Sequence, residues 1–122
     1  MLANSLTITY DGAAIVLNRL TQTGYTGMFQ GSDFLGNVLT LEVKHTFPSK
    51  PGGGVESHLA KLTYDEYALV DGVNTLSRQT VSHSVIKTNV GIENDGISLK
   101  VKKALDSFLI DENVNILLAR RS

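Results

Sequence analysis

Val38-Leu-Thr-Leu-Glu-Val-Lys-His-Thr-Phe47 alternates apolar and polar residues. Such alternation marks a strand with one covered face and one open face. A second candidate strand, His58-Leu-Ala-Lys-Leu-Thr-Tyr64, runs on through Tyr67 to Val70, and a third spans Arg78 to Thr88. Between the first two lies Pro48-Ser-Lys-Pro-Gly-Gly-Gly54, a hairpin loop by composition. It is not a phosphate-binding loop. That motif needs a Lys-Ser/Thr after its last glycine and a helix opening there, whereas Val55-Glu-Ser-His58 leads into a strand.

Closing that loop as a hairpin suggests a register with His45 opposite His58, which sets Val43 opposite Ala60, Leu41 opposite Leu62 and Leu39 opposite Tyr64. The same register sets Glu42 against Lys61 and Thr40 against Thr63, both favourable cross-strand pairs. A slip of one residue would invert every side chain, so agreement on both faces supports this pairing. Asp71-Gly-Val-Asn-Thr75 reads as a short turn into the third strand. There, Val81 and Val85 are placed toward the covered side. The predicted open face then carries Thr40, Glu42, Lys44, Thr46, Lys61, Thr63, Thr80, Ser82 and Ser84.

Upstream, Leu6-Thr-Ile-Thr-Tyr10 and Ala13 to Leu17 flank Asp11-Gly12, a strong two-residue hairpin signal. The Thr- and Gly-rich segment from Asn18 to Asn37 reads as loop, with short strands around Tyr25 to Gln30 and Phe34 to Leu35. Downstream the period changes. Ile97, Val101, Ala104, Leu105 and Phe108 recur at helical spacing, predicting a helix from about Ile97 to Leu109 with Asp95 as its N-cap. Asp111-Glu-Asn113 re-caps the chain into a second short helix holding Val114, Leu117 and Leu118 and ending in Arg120-Arg121. The predicted class is α+β: an N-terminal hairpin, an antiparallel meander and two C-terminal helices covering one face of the sheet. Two short helices cover a broad sheet poorly, so an interlocked dimer is expected.

The 122 residues suggest a single domain, 1–122, with 42% hydrophobic and 19% charged residues as in ordinary globular chains. No apolar run approaches the roughly 20 residues of a membrane helix, and Met1 to Leu6 reads as no signal peptide. There is no cysteine, hence no disulfide or thiolate chemistry. A net charge of −1 argues against a generic basic nucleic-acid binder but allows charge to be segregated on one face. His45, His58 and His83 lack metal-ligand spacing and read as structural. Asp65 and Glu66, adjacent on a strand, point to opposite faces and make no catalytic pair. Neither an enzyme nor a cofactor is expected.

The order of elements resembles the coat proteins of small single-stranded RNA bacteriophages, the leviviruses. The likeness rests on Leu39-Thr-Leu-Glu-Val-Lys44, Lys61, Leu76-Ser-Arg-Gln-Thr80, Leu99-Lys-Val-Lys-Lys-Ala-Leu105 and Leu109-Ile-Asp111. It implies dimers with joined sheets and interlocked helices, assembled into an icosahedral shell. The inner sheet face would bind single-stranded genomic RNA, including a stem-loop that represses replicase translation. On that face the resemblance places Thr40, Lys44, Lys61, Thr63, Thr80 and Ser82. It makes Asp71, Gly72, Val73, Asn74 and Thr75 the loop that meets its copies around symmetry axes. The partners implied are the chain itself and RNA, with no membrane and no small-molecule substrate. The place implied is the virion, assembled in the bacterial cytoplasm.

Two departures stand out. Glu42 sits where the family has a neutral polar residue. Where some members stack a base on a tyrosine of the last strand, this chain has Thr80 or Val81, depending on register. Both favour generic phosphate contact over tight recognition of one hairpin. Two other readings compete: a small non-assembling dimeric RNA-binding regulator, and an α+β domain binding a ligand or peptide. The near-neutral charge disfavours the former and the hydroxylic open face the latter.

Overall fold

Two Asp-Gly pairs reverse the chain. Asp11 and Gly12 have φ of 50° and 78°, and Asp71 and Gly72 have φ of 51° and 78°. Both central positions of such a turn need positive φ, which Asp tolerates and Gly adopts freely. The computed structural model describes residues 4–48, 54–89 and 96–119. Its strands are β1 (Ser5–Tyr10), β2 (Ala13–Thr23), β3 (Thr26–Ser32), β4 (Val38–Thr46), β5 (Val55–Val70) and β6 (Val73–Asn89), followed by α1 (Ile97–Phe108) and α2 (Asp111–Leu118). The strands form one antiparallel sheet in sequence order, β1 to β6. The β4–β5 register is the one expected, from Leu39 opposite Tyr64 to His45 opposite His58.

Three expectations need correction. Asn18 to Thr23 is not loop but the second half of β2; its threonines suit a pleated strand. A bulge between Arg19 and Thr21 breaks the alternation there and hides the strand's pattern. Phe34 and Leu35 form a turn rather than a strand. Asp71 to Thr75 is not a five-residue loop either. Val70 pairs with Val73, so Asp71 and Gly72 alone make the turn, and Val73, Asn74 and Thr75 belong to β6. The helix begins after Gly96, and the expected cap Asp95 lies outside the described residues; so do Arg120 and Arg121.

The core lies at the N-terminal end of the sheet, where Ile15, Leu17, Phe29 and Leu39 are buried and Leu6, Ile8, Tyr10, Leu41, Val43, Leu62 and Tyr64 pack around them. The sheet is curled: the Tyr10 ring of β1 stacks on Tyr64 of β5 with centroids 4.8 Å apart, although three strands separate them in the sheet order. Gly31 permits the curl. A Cβ at this position would collide with the backbone oxygen of Val16 and stand 2.9 Å from Leu17 Cδ2.

The β3–β4 turn is held by Asp33, which is buried. Its Oδ1 accepts the backbone N–H groups of Leu35 (3.0 Å) and Asn37 (2.9 Å), and its Oδ2 accepts the Tyr64 hydroxyl (2.7 Å). Asn37 in turn donates to the Tyr64 oxygen (3.0 Å) and accepts the Tyr67 N–H (2.9 Å). The Tyr64 hydrogen bond, assisted by the backbone donors, holds the Asp33 carboxyl below the usual range, while the same bond pushes the Tyr64 phenol up to about 12. A depressed carboxyl contributes stability above its unfolded value of about 3.9 and loses it as pH falls through the folded value. Tyr64→Phe should therefore lower the urea midpoint at neutral pH, and the gap to wild type should shrink in acid, below about pH 4. The contribution of the phenol is complete below about pH 10 and fades as pH rises toward 12. A gap that persists unchanged into acid would mean that the carboxylate is not what the tyrosine stabilises.

Candidate functional site

Residues directly opposite in an antiparallel pair share a face. On the face away from the core, Thr40 pairs with Thr63, Glu42 with Lys61 and Lys44 with Leu59. Gln30 of β3 extends this face, donating to Thr40 Oγ1 at 3.2 Å. Lys61 Nζ lies 3.9 Å from Glu42 Oε1, a half-exposed pair that offsets part of the lysine's charge. Lys44 is exposed. These four residues, Thr40, Lys44, Lys61 and Thr63, are brought together as expected from the sequence.

Thr80 and Ser82 are not. Thr63 pairs with Val81 and Lys61 with His83, whereas Thr80 opposes Tyr64 and Ser82 opposes Leu62. Thr80, Ser82 and Ser84 therefore belong to the core-side face, and the open face continues through Val81, His83, Val85 and Lys87. The inversion has a physical cause. β6 is the edge strand, and Val81 and Val85 are 47% and 43% exposed on this chain, so polarity does not mark which side of β6 is covered. His83 and Lys87 were missed for the same reason; pairing outward from Lys61 and Ser57 of β5 is the signal that finds them.

The histidines divide between the faces. His45 and His58 meet with Nδ1 atoms 2.8 Å apart on the core side, and His83 stands on the other. Asp65 accepts from Gln79 (2.8 Å) and Glu66 pairs with Arg78, so each carboxylate is used in a cross-strand contact. Among the described residues no group of three or more His, Asp and Glu could hold a metal ion, and no helix is long and apolar enough to cross a membrane.

The core-side face of β4 to β6 is bare beyond the hairpin. Neither α1 nor α2 has a buried residue. Leu105, Phe108, Leu109 and Leu117 are 43–50% exposed, and an open cleft separates Leu105 and Leu109 from Leu41, Ala60 and Leu62. The helices thus lie on the expected side of the sheet without covering it.

The family model of the phage phiCb5 coat protein matches residues 3–89. The chain belongs to this family of coat proteins. Solved structures agree on the fold. A virus-like particle of Beihai levi-like virus 21 superposes with a TM-score of 0.74 at 16% identity, over 100% of this chain and 98% of that one. A virus-like particle of bacteriophage ESE058 gives 0.71 at 10% identity, over 95% and 94%. The bacteriophage GA capsid protein gives 0.64 at 8% identity, over 98% and 95%. No curated protein sequence matches. This coat protein is a structural component of the virion capsid, and its role is not enzymatic.

Proposed function

We infer that this coat protein, acting as one unit over residues 1–122, dimerises through its helices and the β6 edge. The dimers close into an icosahedral shell around single-stranded RNA in the bacterial cytoplasm. The observation that carries this reading is the unburied apolar side of α1 and α2, which faces an equally bare sheet. Helices from a second copy would fill the cleft, and β6 edges would pair across the two-fold. Thr80 and Ser82 then lie under helices rather than against RNA. The hairpin tip, where Leu69 and Val73 are 77% and 64% exposed, supplies the contact between dimers around Asp71 and Gly72.

The opposite face is left for RNA, with Lys44, Lys61, His83 and Lys87 as donors to phosphate and Thr40 and Thr63 as hydroxyl contacts. The Glu42–Lys61 pair and a valine at position 81 suit backbone contact repeated over many subunits, not a single operator hairpin held by base stacking. Size-exclusion chromatography with absorbance at 260 and 280 nm, and negative-stain microscopy of the leading peak, test the whole reading. Closed particles rich in 260 nm absorbance are expected; a nucleic-acid-free dimer would remove it.

Lys44→Glu or Lys61→Glu should lower the RNA content of purified particles while leaving dimers folded. The salt dependence of RNA binding should also flatten, by about 0.7 in log–log slope for every phosphate of the single strand that is no longer neutralised. Unchanged RNA content and slope would mean that this face does not meet the nucleic acid.

A further inference from the structure

His45 and His58 are directly opposite on β4 and β5, one pair inside the end of the ladder, where Thr46 meets Ser57. Their Nδ1 atoms stand 2.8 Å apart, a full hydrogen bond between two imidazoles. Around it the mouth of the hairpin is tied to the β2–β3 turn. The His45 N–H donates to the Tyr25 carbonyl at 2.9 Å, and the Phe47 ring meets the Tyr25 ring edge-on with centroids 4.8 Å apart. Charged groups of both signs face the pair. Glu56, 6% exposed, has Oε1 3.9 Å from His58 Nε2, and Arg19 of β2 lines one cleft with His45 and Tyr25. On β6, Ile86 lies opposite His58 with the uncharged Ser84 and Thr88 to either side. On α1, Lys102 beside Ile86 is engaged by Asp106 at 2.6 Å.

A neutral imidazole has one N–H and one lone pair, whereas an imidazolium has two N–H groups and no acceptor. The neutral pair therefore holds one proton between the two Nδ1 atoms. A first proton taken from solvent lands on Nε2 of the donor ring, and the hydrogen bond survives, now assisted by charge. For a second proton the only lone pair left is that of the accepting Nδ1. Occupying it sets two N–H groups against each other, and the rings must part. We propose that His45 and His58 form an acid-opened latch at the mouth of the β4–β5 hairpin, closed with no added proton or one and open with two. The closed pair resists the second proton. Its contribution is therefore present in full at about pH 8 and is lost as pH falls through the range where histidine charges, toward about pH 5. Opening frees the last ladder pair and the Tyr25–Phe47 contact, while the Asp71-Gly72 turn, at the far end of β5, stays closed. The latch works on the single chain and does not depend on dimers, shell or RNA.

Hydrogen–deuterium exchange of the full chain, read by mass spectrometry and corrected for the intrinsic effect of pH, tests the latch. Between about pH 8 and about pH 5 the amides where β4 ends and β5 begins should open about 2- to 13-fold more, the net worth of one hydrogen bond. Amides beside Asp71 and Gly72 should not respond. His45→Ala and His58→Ala should each be open at both pH values, and His83→Ala, on the opposite face, should keep the wild-type response. Glu56→Gln should keep it too, because the carboxylate is no part of the bond. Equal protection of the wild-type strand ends at both pH values, or a response that survives in His45→Ala or His58→Ala, overturns the proposal. If those variants do not fold, exchange at the imidazole C2 positions of the wild type decides. His45 and His58 titrating in two separate steps support the latch, and both titrating together with His83 in one step overturn it.

Discussion

Gly31→Val should yield no soluble particle, and Gly31→Ala should yield protein destabilised by about 3 kcal/mol or more, at the upper end of overpacking costs. The added Cβ would strike the Val16 carbonyl, which belongs to the backbone and cannot rotate away, and would stand 2.9 Å from the fully buried Leu17. Relief requires β2 to lift off β3. That motion would pull Ile15 and Leu17 out of the core and part Tyr10 from Tyr64. Gly27 on the same strand is the control. Its added Cβ would meet only Phe29 Cε1, at 3.7 Å, so Gly27→Ala should fold with nearly the wild-type midpoint. Urea titration of the three proteins reads the difference directly. Equal midpoints for Gly31→Ala and wild type would mean that the Val16 carbonyl does not pack against Gly31.

Leu105→Asp combined with Phe108→Asp should give a chain that forms neither dimers nor particles. On one chain these side chains are 49% and 50% exposed, so within the monomer the substitutions remove little burial. In the proposed dimer each would place a carboxylate against Leu41, Ala60 and Leu62, and the loss of a buried Leu and Phe is worth about 3–5 kcal/mol apiece. Light scattering on the eluting peak should show monomer or irregular aggregate. Particles of wild-type size would remove the helices from the interface. Lys100→Ala and Lys103→Ala, on the polar side of α1, should assemble normally.

The sequence carried much of the fold, for identifiable reasons. The β4–β5 register was legible because both faces of that pair speak at once: Leu41 with Leu62 on one side, Glu42 with Lys61 on the other. The Asp11-Gly12 turn was legible because its backbone geometry restricts the residue types. β2 was obscured by its bulge at Leu20, which shifts the alternation by one residue. The site was half legible. Thr40, Lys44, Lys61 and Thr63 lie on strands whose other face carries Leu39, Leu41, Leu62 and Tyr64, packed in or against the core of the same chain, so polarity and face agree. On β6 they disagree: Val81 and Val85 share the face of Lys61, and Ser82 and Ser84 that of Leu62. In the proposed dimer β6 is covered by another copy, and a pattern that answers to that copy is not explained by one chain.

The order of the sheet bears on how fast the shell can be made. Every strand pairs with its neighbour in sequence, from β1 to β6. No pairing waits for a distant segment to arrive, and β5 and β6 can zip outward from the Asp71-Gly72 turn. Such low contact order favours rapid folding for a β-rich chain, while subunit docking is concentration-dependent and slower. Refolding followed by tyrosine fluorescence should show a fast phase independent of protein concentration, then a second-order phase that accelerates with it. The rate of particle appearance should then be set by encounters between chains, not by the time each chain takes to find its sheet.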